Sequence, residues 1–170
     1  MKSVRAFFLA CLVVALGGCY IIPHAVSIQE RTTLTPDKSY VGGIFLTNMT
    51  EPMVLYMDAP NDNLVAIDLY RGGLFLVELP PGQYRVHHLW IYSSSEPQGI
   101  YRVIPELSRQ HIMVSPGQVT YLGHLGVAKN WLIFETRYET RYAFDRMEFE
   151  ALLGSSYDVP PSVAIVGAAK

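Results

Sequence analysis

The chain has 170 residues, 50% of them hydrophobic and 16% charged, with 13 basic and 15 acidic side chains and a formal net charge of −2. That length suits one domain with a sizeable core, and the slight acidic excess argues against a nucleic-acid partner. Two cysteines, Cys11 and Cys19, exclude a disulfide framework.

Lys2 and Arg5 precede an uninterrupted apolar run over residues 6–16, the layout of a secretory signal. The run is short of the roughly 20 apolar residues that span about 30 Å of hydrocarbon. It ends in Leu16-Gly17-Gly18-Cys19, which resembles the lipobox of bacterial lipoproteins. The resemblance implies cleavage between Gly18 and Cys19, a diacylglycerol on the Cys19 thiol and acylation of the freed amine, so that the membrane is met through lipid. In that family an aspartate after the cysteine retains the protein in the inner membrane. Tyr20 stands there instead, which implies the outer membrane, facing the periplasm or the cell surface. Removal of residues 1–18 takes Lys2 and Arg5 from the 13 basic residues and no acid from the 15, leaving a more acidic chain with one cysteine and no disulfide. Each buried acyl methylene contributes about 0.8 kcal/mol, so two or three chains anchor firmly.

Residues 19–38 read as a lipidated N-terminus and tether, with neither alternation nor helical period, apart from an edge strand around residues 26–28. From Tyr40 to the end of a domain near residue 156, apolar runs alternate with turn signals. Residues 40–46 and 53–57 read as strands, as do 64–70 and 74–79, the last two flanking Arg71-Gly72-Gly73 as a hairpin. Pro80-Pro81-Gly82 ends one run and launches another, and Pro116-Gly117 repeats the device. Proline presets φ at the first central position of a turn and glycine accepts positive φ at the next. Between them lie an aromatic strand from Tyr84 to Tyr92, a polar loop over 93–99, and strands at 101–104 and 111–114. Strict alternation puts Tyr84, Val86, His88, Trp90 and Tyr92 on one face of the aromatic strand and Arg85, His87, Leu89 and Ile91 on the other.

After a strand at 119–125, residues 131–144 alternate with period 2. Glu135, Arg137, Glu139 and Arg141 form a wet, charged face that discourages edge pairing. Asp145 as cap, Glu148 three residues on, an apolar face of Phe149, Leu152 and Leu153, and Gly154 as stop predict one short helix over 145–154, lying over an open edge or end of the sandwich. Residues 157–170 read as a tail. Turns every 8 to 12 residues predict an all-β antiparallel sandwich of about 7–9 strands.

Chemistry is sparse. Adjacent residues of a strand point to opposite faces, so His87 and His88 do not chelate one ion together. His111 and His124 flank the second Pro-Gly turn without a cysteine or carboxylate to complete a four-ligand set. No metal and no cofactor is expected. Ser93-Ser94-Ser95 near His88 lacks a nucleophile elbow, and Gly42-Gly43 lacks the lysine of a phosphate loop and reads as a close backbone approach. Eleven tyrosines suit half-buried sheet positions. Tyr84, Trp90 and Tyr92 are the candidate ligand-binding residues, as a platform for peptidoglycan or polysaccharide.

The two Pro-Gly strands, residues 79–86 and 114–123, resemble those of bacterial lipoproteins carrying a small sandwich of the transthyretin or carboxypeptidase-regulatory kind. The resemblance implies a non-enzymatic role and carries over no active-site residue. The expected function is an envelope lipoprotein presenting a sandwich to a protein partner, with a glycan-binding module as the alternative and a metal or serine hydrolase as a distant third. An exposed aromatic cleft would favour the glycan reading, and an apolar patch the protein reading.

Overall fold

The computed structural model describes residues 22–25, 28, 34–60, 63–69, 72–93, 96–130, 133–139, 147, 149, 151 and 162–165. Among them are β1 (His24–Ala25), β2 (Tyr40–Thr47), β3 (Met53–Ala59), β4 (Asn63–Leu69), β5 (Gly73–Glu78), β6 (Gly82–Ser93), β7 (Glu96–Arg102), α1 (Pro105–Ser108), β8 (Ile112–Val114), β9 (Gln118–Asn130), β10 (Ile133–Glu139) and β11 (Ser162–Ile165). One sheet runs β1-β4-β3-β6-β7 with β8 also on β6, and the other runs β10-β9-β2-β5 with β11 also on β9. The molecule is an all-β sandwich. Its sheets are mixed, since β1 on β4, β2 on β9 and β11 on β9 are parallel. Strands β1 and β11 lie in the segments read as tether and tail. Neither is flanked by the Pro-Gly punctuation that marks the central strands.

Sequence runs identify the strands but not their sheets. The run either side of Gly72-Gly73 reads as a hairpin, yet β4 pairs with β3 while β5 pairs with β2. That turn carries the chain from one sheet to the other, and Gly73 takes φ 129° there. The Pro116-Gly117 turn makes a second crossing, from β8 on β6 to β9. Gly117 takes φ 70°, as the turn reading requires. At the Pro-Pro-Gly turn the Tyr84 hydroxyl reaches back 2.8 Å to donate to the Pro80 carbonyl, fixing the corner as sandwich tyrosines do.

The main core lies between the sheets. It takes Val41 and Phe45 of β2, Phe75 and Val77 of β5, and Leu122, Leu125 and Val127 of β9 against Met53, Leu55 and Met57 of β3, Val65, Ile67 and Leu69 of β4, and Tyr84, Val86, Leu89 and Ile91 of β6. A second, smaller core covers the outer face of the five-stranded sheet. There Leu34 and Ile28 of the N-terminal segment and Phe149 pack on Tyr40, Ile44, Leu76, Val119 and Tyr121. Ile28 N–H donates to the Leu76 carbonyl at 2.6 Å.

Met147, Phe149 and Ala151 are helical, and the Phe149 ring lies 4.4 Å from that of Tyr121. The helix therefore sits on a sheet face. Its expected cap, stop and remaining apolar positions lie outside the described residues, as do 131, 132 and 140–144 of the long charged strand. Helix α1 was not legible as an element, since four residues opening on Pro105 carry no period. Its buried Leu107 sits over β6 between the stretches taken by β8 and β7.

Candidate functional site

The outer face of the six-stranded sheet is built differently. Inward positions of β3 and β4 are odd-numbered, so Val54, Tyr56 and Asp58, and Leu64, Ala66 and Asp68, turn outward. Strand β6 breaks this rule at its middle. Met57 pairs with Val86 and Tyr56 with His88, leaving His87 as an extra residue in a β-bulge. Inward positions consequently change from Tyr84 and Val86 to Leu89 and Ile91. Strict alternation thus fails for this strand, and with it two expectations. Tyr84 is 2% exposed and part of the core, so it is not on a face with Trp90 and Tyr92. His87 and His88 do not diverge, because the bulge turns their Nδ1 atoms to within 2.5 Å of each other.

Trp90 and Tyr92 do share the outer face, half-buried and 46% exposed respectively. Around them stand His88, which the alternation places on this face, and three aromatic rings that it does not, Tyr56, His87 and Tyr101. His88 is stacked between Tyr56, at 4.6 Å between centroids, and Tyr101, at 4.4 Å. His87 meets both His88 and Tyr101 edge-on. Residues 53–57 were legible as a strand, but a run apolar throughout does not tell which face Tyr56 takes. The bulge left no signal.

This packing sets the charge state of the face. Burial between the rings, reinforced by the charge of His87, lowers the His88 imidazole to about 4, so it is neutral at pH 7. Burial and the neighbouring Tyr92 raise the Tyr56 phenol above its ordinary value, so it stays a neutral hydroxyl. At one flank Arg85 donates from Nε at 2.9 Å and from Nη2 at 2.6 Å to one oxygen of Asp58. At the other end Trp90 and Tyr92 line a groove of about 470 Å³ with Glu51, Glu96 and Gln98. Gly99 floors it at φ 68°, and any Cβ there would run into the Trp90 indole.

A larger cavity of about 580 Å³ lies between Pro23–Ala25, Ala59-Pro60 and Pro80-Pro81. It offers fewer free polar groups, because His24 is held by Asp68 at 3.2 Å and Glu78 by Lys38 at 2.7 Å. We take the aromatic groove as the site for that reason.

The remaining histidines do not join the pair. His111 lines a depression with Asp58 and Arg85, whereas His124 lies on β9 of the other sheet, edge-on to Tyr121. Ser93 lines the groove. Ser94, Ser95, Gly18 and Cys19 lie outside the described residues. Among the described residues no group of three or more histidine, cysteine or carboxylate side chains is placed to hold a metal, and no helix is long and apolar enough to cross a membrane. Comparison with known protein families, curated proteins and solved structures finds no match.

Proposed function

We propose that the chain is a non-enzymatic lipoprotein of the bacterial outer membrane, anchored through Cys19, whose sandwich binds glycan on the outer face of its six-stranded sheet. The observation that carries this reading is the groove where Trp90 and Tyr92 stand beside Glu51, Glu96 and Gln98. A sugar ring presents a C–H face that stacks on an aromatic ring and a rim of hydroxyls that bonds to carboxylates and amides. The groove holds both partners side by side. A protein interface would be favoured by one apolar patch. Among the described residues the exposed large hydrophobics on this face are the aromatic Tyr92 and Tyr101, whereas the aliphatic Leu46, Val103 and Met113 belong to β2, to the segment after β7 and to β8.

The test is a titration of the full-length, detergent-solubilised protein with soluble peptidoglycan fragments and envelope oligosaccharides, followed by isothermal titration calorimetry. Trp90→Ala and Tyr92→Ala are each expected to weaken binding about tenfold, equivalent to about 1.4 kcal/mol, whereas Tyr84→Phe leaves it unchanged. A stoichiometric envelope protein cross-linked in native membranes, retained by both alanine variants and accompanied by no glycan, would replace this reading with a protein-interaction role.

A further inference from the structure

We propose that the bulged pair His87 and His88 is a binding site for a late first-row transition ion, copper in preference to zinc. The inference is independent of the glycan reading, since it rests on the middle of β6 and not on the groove. Two consecutive strand residues ordinarily diverge. Here the extra residue opposite Tyr56 brings both imidazoles to the same side, with Nδ1 facing Nδ1 at 2.5 Å. In the pair as it stands one ring donates its Nδ1–H to the other. Moving that proton to Nε2 of the same ring frees both Nδ1 lone pairs with no net change of protonation.

Metal–nitrogen bonds of about 2.0 Å place two ligating nitrogens about 3.3 Å apart on a tetrahedral ion and about 4 Å apart on a linear one. Admission of an ion therefore opens the pair by about an ångström or somewhat more, through rotation of the exposed His87 ring. His88 does not need to move. Tyr56 and Tyr101 clamp its two faces, which holds its Nδ1 towards His87. The donor set decides the metal. Neutral imidazole suits zinc, nickel and copper, and copper heads the affinity order for nitrogen ligands. The two imidazoles supply two donors to either ion and water the rest, so the preference for copper follows from that affinity order alone.

The experiment titrates copper(II) alone, and zinc(II) alone, into the full-length protein carrying Cys11→Ser and Cys19→Ser, so that no thiolate competes. Bound copper is read by competition with a chromophoric chelator and by quenching of tryptophan fluorescence, because the Trp90 ring lies 6.2 Å from that of His88. The expected result is one equivalent of copper bound at least tenfold more tightly than zinc. His87→Ala, on the exposed ring, loses at least tenfold in copper affinity with its circular dichroism unchanged, while His24→Ala and His111→Ala stay within twofold of the parent. Copper affinity equal in His87→Ala and the parent, or no stoichiometric binding, overturns the proposal. His88→Gln provides a second reading where it folds, and the decision rests on His87→Ala.

Discussion

His88 shows how one side chain links packing to pH. Its ring is 8% exposed and held between two tyrosines, and its folded-state value lies at about 4 against 6.5 unfolded. Between those two values the unfolded chain binds more protons than the folded one, so stability rises with pH across the window and is lost as pH falls from 6.5 towards 4. We expect a loss of about 1–3 kcal/mol between pH 7 and pH 4.5, seen as a lower urea midpoint. His88→Phe keeps a ring between Tyr56 and Tyr101 but cannot titrate, so its midpoint should be nearly flat over this range. An equal fall in both proteins would assign the effect to other groups.

At the scale of elements, the sandwich is arranged around two long strands with the same plan. Strands β6 and β9 each open within a Pro-Gly-Gln sequence, with Gln83 in one and Gln118 in the other. Each has one main neighbour along one edge, β3 or β2, while two shorter strands share the opposite edge, β8 and β7 on β6, and β11 and β10 on β9. Each also carries a bulge a few residues after its glutamine, at His87 in one and at Leu122-Gly123 in the other. The turns were legible because proline and glycine act locally. The bulges and the assignment of strands to sheets were not, because both depend on partners distant in sequence. The closeness read into Gly42-Gly43 was legible in kind. A Cβ on Gly42 would meet the Phe75 carbonyl at 2.8 Å and the Phe149 ring at 3.0 Å. Gly42→Ala should therefore cost about 1–3 kcal/mol by overpacking, and Phe149→Ala about 3–5 kcal/mol by leaving a cavity. In urea denaturation the double variant should lose less than their sum, because removal of the ring relieves part of the crowding.

For the whole molecule, the decisive asymmetry is between the two outer faces. The five-stranded sheet has its outer face covered by Leu34, Ile28 and Phe149, whereas among the described residues the six-stranded sheet presents Tyr56, His88, Trp90, Tyr92 and Tyr101 on its own. Composition gave the aromatic richness but not the side on which it lies. Trp90 and Tyr92 were legible as a pair, and Tyr84 was lost to the core by the one-residue shift at His87. The N-terminal segment is bound into this plan. Gly117 N–H donates to the Lys38 carbonyl at 2.7 Å and Leu79 N–H to the Ser39 carbonyl at 3.1 Å, so residues 38 and 39 are fastened to both Pro-Gly corners. On the reading that Cys19 carries lipid, the five residues from it to His24 reach at most about 18 Å, which keeps β1 and its sheet edge near the bilayer. Cys19→Ala is expected to move the protein to the soluble fraction after cell lysis while leaving its thermal unfolding unchanged. Continued membrane attachment would point to a different anchor.

The bulge has a further consequence for which lengths of chain the fold accepts. Loss of one residue from the middle of a central strand normally turns everything beyond it inside out. In β6 the spare residue is already unpaired, so a chain lacking His87 would keep Tyr84, Val86, Leu89 and Ile91 inward and every pairing with β3 intact. Only the span between β8 and β7, bridged by α1, would have to shorten. Deletion of His87 should thus yield a folded protein, whereas deletion of Leu89 should not, and comparing the two by circular dichroism and urea denaturation checks it. His87 is then an insertion that the sheet carries without using it for folding, a position free to be kept for what its side chain can do.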